Sequence, residues 1–138
     1  DRGRQRMGEP RKRIGCVIVA HGNVGDCLMS AVQGIIGTQS GWEAVSNKDK
    51  GLQDLTDSVN AAIDRVAVGH DVILLTDMPG GSCPHVCQAV VKERPEIKGI
   101  AGVNLMMLIE FFVKRDRCTF DDLAAFVQTR GRDAVRAL

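Results

Sequence analysis

A histidine and an aspartate each follow directly after an apolar, β-branched segment, and these two residues are the strongest candidates for chemistry. His21 comes after residues 14–20 (IGCVIVA), and Asp77 comes after residues 71–76 (DVILLT). An aspartate that accepts a hydrogen bond from one imidazole nitrogen fixes the tautomer and leaves the other nitrogen as a nucleophile. If the two segments are neighbouring strands, the sequence predicts a His21–Asp77 pair at one edge of a sheet.

A glycine-rich turn after the second segment is suited to binding an anion. Gly80, Gly81 and Ser82 stand directly before an amphipathic stretch. Glycines allow close approach to the backbone, and the free N–H groups at a helix start attract anions. We expect Ser82 to cap this helix and to offer its hydroxyl group. With His21 and Asp77, the turn completes a predicted set of nucleophile, orienting acid and phosphoryl cradle.

Motifs for direct nucleotide binding or acyl transfer are missing from the sequence. There is no GxxxxGK[ST] loop, no G-x-S-x-G elbow, and no GxGxxG after either strong strand. Without a nucleotide site, a phosphoryl group would have to come from another phosphoprotein. We therefore expect no cofactor.

A cluster of sulfur and imidazole groups offers an alternative of another class, a metal- or redox-sensing module. Cys83, His85 and Cys87 follow one another at alternate positions. This spacing is unlike common zinc motifs, and in a helix Cys83 and Cys87 share a face while His85 points elsewhere, so we expect no metal. Near a helix start, Cys83 is alternatively a low-pKa, oxidation-prone thiol. Cys16 and Cys27 are expected to fill the core.

Apolar and amphipathic segments alternate along the chain and predict the elements that position these residues. This order is typical of an α/β fold with a mostly parallel open sheet and helices on both faces, a three-layer α/β/α arrangement. Ligands of such sheets bind beyond the carboxyl ends of the strands, where His21 and Asp77 lie. The predicted strands are residues 14–20, 42–45, 71–76 and 97–101, and the predicted helices are 25–36, 52–68, 83–94, 105–113 and 121–129, the last capped by Thr119.

Composition is that of one ordinary soluble domain. The chain has 138 residues, 44% of them hydrophobic and 25% charged, and a net charge of +1, which gives no indication of nucleic-acid binding. Residues 1–12 are rich in arginine, glycine and proline and predict a disordered basic leader before a single domain over residues 13–138. Five cysteines without a secretory signal favour reduced thiols in the cytoplasm.

Three motifs in register resemble a known family. They are residues 18–22 (IVAHG), residues 74–77 (LLTD) with Gly80-Gly81-Ser82, and residues 101–105 (AGVNL) with 107–108 (ML). In order and separation they are similar to the IIA domains of the mannose/fructose/sorbose family of the bacterial phosphoenolpyruvate-dependent sugar phosphotransferase system. The resemblance extends from about residue 14 to 138 and includes the tail segments 120–123 and 131–132.

The resemblance implies a phosphotransferase that serves sugar transport. His21 would accept a phosphoryl group from the phosphocarrier HPr and pass it to a IIB component, with Asp77 orienting the ring and Gly80, Gly81 and Ser82 steadying the phosphate. It implies no metal, a cytoplasmic location, and contact with the membrane only through a IIC/IID complex. It also implies a homodimer that exchanges a C-terminal antiparallel strand. The candidate segment is 133–138, which from sequence alone equally extends the preceding helix.

The chain departs from the family pattern in the phosphate loop and nearby. Cys83 and Pro84 follow Gly-Gly-Ser, where the family usually has proline directly; Pro79 and Met106 also differ from the usual residues. These changes leave His21, Asp77 and Ser82 in place but put the partner surface in doubt. A regulatory phosphocarrier of the same fold is the main alternative. A dihydroxyacetone-kinase phosphocarrier is less favoured because Gly22, and not serine, follows His21. Since the chain stops where a fused IIB domain would begin, we expect a stand-alone IIA protein.

Overall fold

Strands and helices alternate along the chain in the computed structural model, which describes residues 13–66 and 71–138. The leader predicted for residues 1–12 and the last two residues of the helix predicted over 52–68 lie outside these ranges. The strands are β1 (Gly15–Ala20), β2 (Trp42–Ser46), β3 (Val72–Thr76) and β4 (Ile97–Ala101). The helices are α1 (Val24–Ile36), α2 (Leu52–Val66), α3 (Ser82–Glu93), α4 (Leu105–Lys114) and α5 (Phe120–Asp133).

The four strands form one parallel sheet in the order β2-β1-β3-β4. The two central strands are the apolar, β-branched segments, and every residue of both is buried. Since Val19 is paired with Thr76, the residues that follow β1 and β3 leave the sheet at the same edge. The predicted parallel open sheet is confirmed, and its order makes neighbours of the two strands that precede His21 and Asp77.

Helices cover both faces of the sheet because the side chains of a strand alternate between its two faces. Cys16, Ile18 and Ala20 belong to a core cluster that includes residues of α1, α4 and α5. Val17 and Val19 belong to a second cluster with residues of α2 and α3. The three-layer α/β/α arrangement predicted from the sequence is therefore confirmed.

Helix α5 is longer than predicted. Its cap is the expected one, since the Thr119 hydroxyl oxygen accepts a hydrogen bond from the Asp122 amide at 3.2 Å, but the helix continues to Asp133. Residues 134–138 then form neither helix nor strand. Asp133, the first residue of the segment 133–138, thus belongs to α5. The exchange of residues 134–138 with a second chain stays a prediction.

None of the helices within residues 13–66 and 71–138 combines the length and the apolar character needed to span a bilayer.

Candidate active site

His21 and Asp77 are in direct contact at the carboxyl edge of the sheet. Each is the first residue after a central strand, so their backbones leave the sheet side by side. The Asp77 Oδ2 atom lies 2.9 Å from the His21 Nδ1 atom and accepts a second hydrogen bond, also 2.9 Å, from the His21 amide. One carboxylate oxygen thus fixes both the backbone and the ring of the histidine.

The ring is oriented with its second nitrogen free of this contact. Nδ1 faces Asp77, so a proton carried on Nδ1 leaves the Nε2 lone pair as the nucleophile. The His21 side chain is 44% exposed, whereas that of Asp77 is 17% exposed. The acid is therefore enclosed and the imidazole stays open to an incoming group.

The Asp77 carboxyl group is held in its ionised form. Partial burial by itself raises the pKa of this group, because desolvation disfavours a charge. The hydrogen bonds from the His21 amide and ring outweigh this effect, together with the electrostatic attraction between the carboxylate and the imidazole ring. The pKa of Asp77 therefore lies below its usual value. Asp77 consequently remains a carboxylate throughout the neutral pH range and can stabilise a positive charge on the ring.

The backbone turns sharply after β1, and the segment after β4 is hydrogen-bonded to the end of β3. Gly22 has a φ of 55°, a left-handed conformation that glycine adopts without strain, and it turns the chain directly after His21. The Thr76 carbonyl oxygen accepts hydrogen bonds from the Gly102 and Val103 amides at 2.9 and 2.8 Å. These hydrogen bonds hold the third sequence motif, residues 101–105, next to Asp77.

The glycine-rich turn Gly80-Gly81-Ser82 leads directly into α3, but Ser82 does not cap this helix as predicted. The N-cap residue is Gly81, with a φ of 96°, and no side chain accepts a capping hydrogen bond. Ser82 is the first helical residue. Pro84 has no N–H group, so the amides available at this helix start are those of Ser82 and Cys83.

Cys83 lies against the His21–Asp77 pair, a proximity that the sequence analysis missed. Ligand atoms of His21, Asp77 and Cys83 all lie within 4.8 Å of one another. Burial and the nearby Asp77 charge raise the pKa of the Cys83 thiol, so the expectation of a low-pKa, reactive thiol is wrong.

The grouping proposed for Cys83, His85 and Cys87 is not formed. His85 is exposed, whereas Cys87 is buried next to Cys83 and burial raises its pKa to about 12. Cys16 is buried as predicted, but Cys27 is exposed on α1, which contradicts its assignment to the core. Topology supplies part of the signal for the position of Cys83, although not the direction of its side chain. A helix that starts a few residues after β3 must return over the edge where β1 and β3 end.

Comparison with protein-family models shows to which family the chain belongs. A family model described as "PTS system fructose IIA component" matches residues 15–128, which includes all four strands and the site. The chain belongs to the IIA family of the sugar phosphotransferase system (PTS). The resemblance noted in the three sequence motifs is therefore confirmed.

Relatives of known identity agree with this assignment. The IIA chain is 31% identical over 129 residues to the "PTS system mannose-specific EIIAB component" of Escherichia coli K12, a match that covers 91% of this chain and 39% of that protein. The IIA chain thus spans about two fifths of that relative's length. It is 28% identical over 111 residues to the "PTS system fructose-specific EIIA component" of Bacillus subtilis, covering 80% of this chain and 76% of that protein.

Solved structures share the fold. The mannose/sorbose-specific IIA subunit of the phosphotransferase system from Enterococcus faecalis has a TM-score of 0.80 and 28% identity, with 91% of this chain and 95% of that chain covered. The phosphotransferase component EIIA from Streptococcus agalactiae also has a TM-score of 0.80 and 28% identity, with 90% and 96% covered. The IIA chain is thus similar to both over nearly their full length.

Proposed function

We propose that this chain is a phosphoryl carrier of the sugar phosphotransferase system that accepts a phosphoryl group on His21. The donor is phospho-HPr and the acceptor is a IIB protein or domain. In the first transfer, the Nε2 lone pair of His21 attacks phosphorus and the phosphorus–nitrogen bond of the donor histidine breaks. In the second transfer a IIB nucleophile attacks and His21 leaves, so no cofactor is consumed.

The observation that carries this proposal is the contact between Nδ1 of His21 and the Asp77 carboxylate, 2.9 Å long. It orients the ring with Nε2 away from the acid, and it supplies a fixed negative charge beside the ring as phosphorylation makes it cationic. Positioning and charge stabilisation are the main requirements of phosphoryl transfer, because its loose transition state needs little covalent assistance.

The start of α3 supports a place for the phosphoryl oxygens. Gly80 and Gly81 are exposed, and a Cβ built on either would meet no atom within 4 Å, so the backbone is accessible there. We assign phosphate binding to the amides of this turn and to the Ser82 hydroxyl. The positive end of the α3 dipole favours the developing charge.

Exposed apolar side chains at the same edge support protein partners and not a free small substrate. Val24, Met78 and Met106 are 38%, 46% and 38% exposed. Val24 is the first residue of α1, Met78 lies in the loop after β3, and Met106 lies in the first turn of α4. Apolar side chains around a polar reactive group are typical of surfaces that dock other proteins. We assign this surface to phospho-HPr and the IIB component in turn.

Membership of the IIA family supports a role in sugar uptake. We propose that it acts in the cytoplasm as a homodimer and meets the membrane only indirectly, through the IIC/IID complex that its IIB partner serves. The segment 134–138 is our candidate for the exchanged strand.

Incubation with purified phospho-HPr tests the proposal. We expect one acid-labile phosphate per chain, located on His21 by mass spectrometry, and its passage to a IIB protein added afterwards. His21→Ala abolishes the label, whereas His85→Ala, which removes an exposed imidazole on α3, leaves it unchanged. Label on any other residue, or none from phospho-HPr, would contradict the assignment.

A further inference from the structure

The thiol of Cys83 has no part in the proposed transfer, yet it lies beside the reacting pair. Its Sγ atom, a ring nitrogen of His21 and a carboxylate oxygen of Asp77 lie within 4.8 Å of one another. We propose that these three side chains form a binding site for a thiophilic divalent cation, with Zn²⁺ as the best-matched ion.

The donor set suits zinc in both type and number. Imidazole nitrogen, thiolate sulfur and carboxylate oxygen are its usual protein ligands, and sites with three protein ligands keep a fourth position for water. Magnesium and calcium prefer oxygen ligands, so the sulfur selects against them. The 44% exposure of the His21 side chain provides the entry path and room for the water.

The second oxygen of Asp77 provides independent support for a cation. Oδ1 is buried and has no hydrogen-bond partner, while Oδ2 accepts both bonds from His21. A buried carboxylate oxygen without a partner carries an uncompensated desolvation cost. A cation between Asp77 and Cys83 would remove that cost through charge and coordination.

Cation binding has a defined consequence for the ring. The Cys83 thiol loses its proton to solvent as Sγ coordinates. At His21, coordination by Nε2 occupies the attacking lone pair directly. Coordination by Nδ1 instead displaces the proton of that nitrogen to Nε2, which occupies the same lone pair. The cation and the phosphoryl group are then mutually exclusive. This inhibition rests on the proposed function, whereas the binding site itself does not.

Metal titration of the full chain, reduced and freed of metal, tests the site directly. Zn²⁺ is measured by competition with a chromophoric chelator, and Co²⁺ serves as a spectroscopic probe for a thiolate-to-metal charge-transfer band. We expect one ion per chain and a charge-transfer band that disappears in Cys83→Ser. Loss of a direct ligand in Cys83→Ser or His21→Ala should weaken binding by at least about 100-fold.

Two control variants separate this site from other thiols and imidazoles. Cys27→Ser removes an exposed thiol and His85→Gln removes an exposed imidazole two residues after Cys83, and both variants should bind Zn²⁺ like the parent chain. His21→Ala changes a partly exposed side chain and so tests the site even if a substitution at buried Cys83 impairs folding. The proposal is overturned if the parent chain does not bind Zn²⁺ stoichiometrically. It is also overturned if binding persists in both Cys83→Ser and His21→Ala, or if binding is lost in Cys27→Ser.

Phosphorylation with and without zinc tests the consequence. Purified phospho-HPr is the donor, so that no upstream enzyme is exposed to the metal, and the ratio of labelling with and without Zn²⁺ is compared within each variant. We expect stoichiometric Zn²⁺ to suppress labelling of the parent chain, a chelator to restore it, and the ratio to approach one in Cys83→Ser. If labelling of the parent chain is the same with and without Zn²⁺, the inhibition is refuted. Absence of labelling under both conditions refutes the proposed function and leaves the binding result standing.

Discussion

A single carboxylate oxygen organises the candidate site at the scale of individual residues. Oδ2 of Asp77 accepts hydrogen bonds from both the amide and the ring of His21. The amide bond fixes where the histidine leaves β1, and the ring bond fixes which nitrogen faces outward. Charge on the carboxylate adds a stabilisation that a neutral acceptor of the same shape lacks, because hydrogen bonds to charged groups are stronger.

Asp77→Asn separates orientation from charge. The amide oxygen of asparagine can still accept from Nδ1, but the negative charge beside the ring is lost as the phosphohistidine forms. We expect the rate of His21 phosphorylation by phospho-HPr to fall about 100-fold or more. Rapid-quench labelling measures this rate, and Asp77→Glu, which keeps the charge but moves it, serves as the comparison. An unchanged rate in Asp77→Asn would show that the charge contributes nothing.

The positions of His21 and Asp77 at the strand ends were predictable from the sequence. The contact that Cys83 makes with them was not. His21 and Asp77 follow apolar runs directly, and the carboxyl ends of adjacent parallel strands must share an edge. Cys83 lies past the turn, in the first turn of α3. Successive residues of a helix point about 100° apart, so the direction of the Cys83 side chain follows from the orientation of α3 against the sheet. The local sequence does not specify that orientation.

At the scale of elements, α5 is fastened to the start of α4 by one asparagine and one glycine. The Asn104 side chain caps α4 by accepting from the Met107 amide at 3.1 Å, and it donates to the Gly131 carbonyl at 3.2 Å. Gly131 is buried, and a Cβ placed there would collide with the Met107 side chain. The close approach of the two helices therefore leaves no room for a side chain at position 131 unless Met107 moves.

Gly131→Ala and Gly34→Ala are expected to change stability in opposite directions. Both positions are helical, but Gly34 on α1 is exposed and its Cβ would meet nothing within 4 Å. Gly34→Ala should raise the free energy of unfolding by about 0.5–1 kcal/mol, because alanine is the better helix former. Gly131→Ala should lower it by about 1–3 kcal/mol through overpacking.

Urea denaturation with linear extrapolation measures both changes. A combined Gly131→Ala and Met107→Ala variant should be less destabilised than the sum of its two single changes, since the smaller side chain removes the collision. Equal effects of alanine at positions 34 and 131 would contradict the packing argument.

Hydrophobic periodicity predicted the type of each helix and strand, but not where α5 ends. The apolar stripe of this helix fades after Val127, so the sequence pattern indicated an end near residue 129. The helix continues to Asp133 because Gly131 packs on α4, a contact distant in sequence. Tertiary packing of this kind leaves no signal in a local window.

At the scale of the whole molecule, the sheet ends in two edge strands, β2 and β4, while the chain ends in an exposed apolar segment. Val135 is 84% exposed, and Leu138 is fully exposed. An unpaired strand edge is a template for pairing with another chain. These features support the proposed homodimer, in which residues 134–138 of each chain add a strand to the other.

Removal of residues 134–138 should therefore abolish the dimer while leaving the fold intact. We expect light scattering to give twice the 14.9 kDa mass of one chain for the full protein, and the mass of a single chain for the truncated one. Thermal stability of the full protein should rise with concentration, as for any coupled assembly, and that of the truncated form should not. Ile35→Ser, which removes an exposed apolar side chain on α1, should leave the dimer unchanged. A full-length monomer, or a dimer that survives truncation, would assign the exposed C-terminal segment another role.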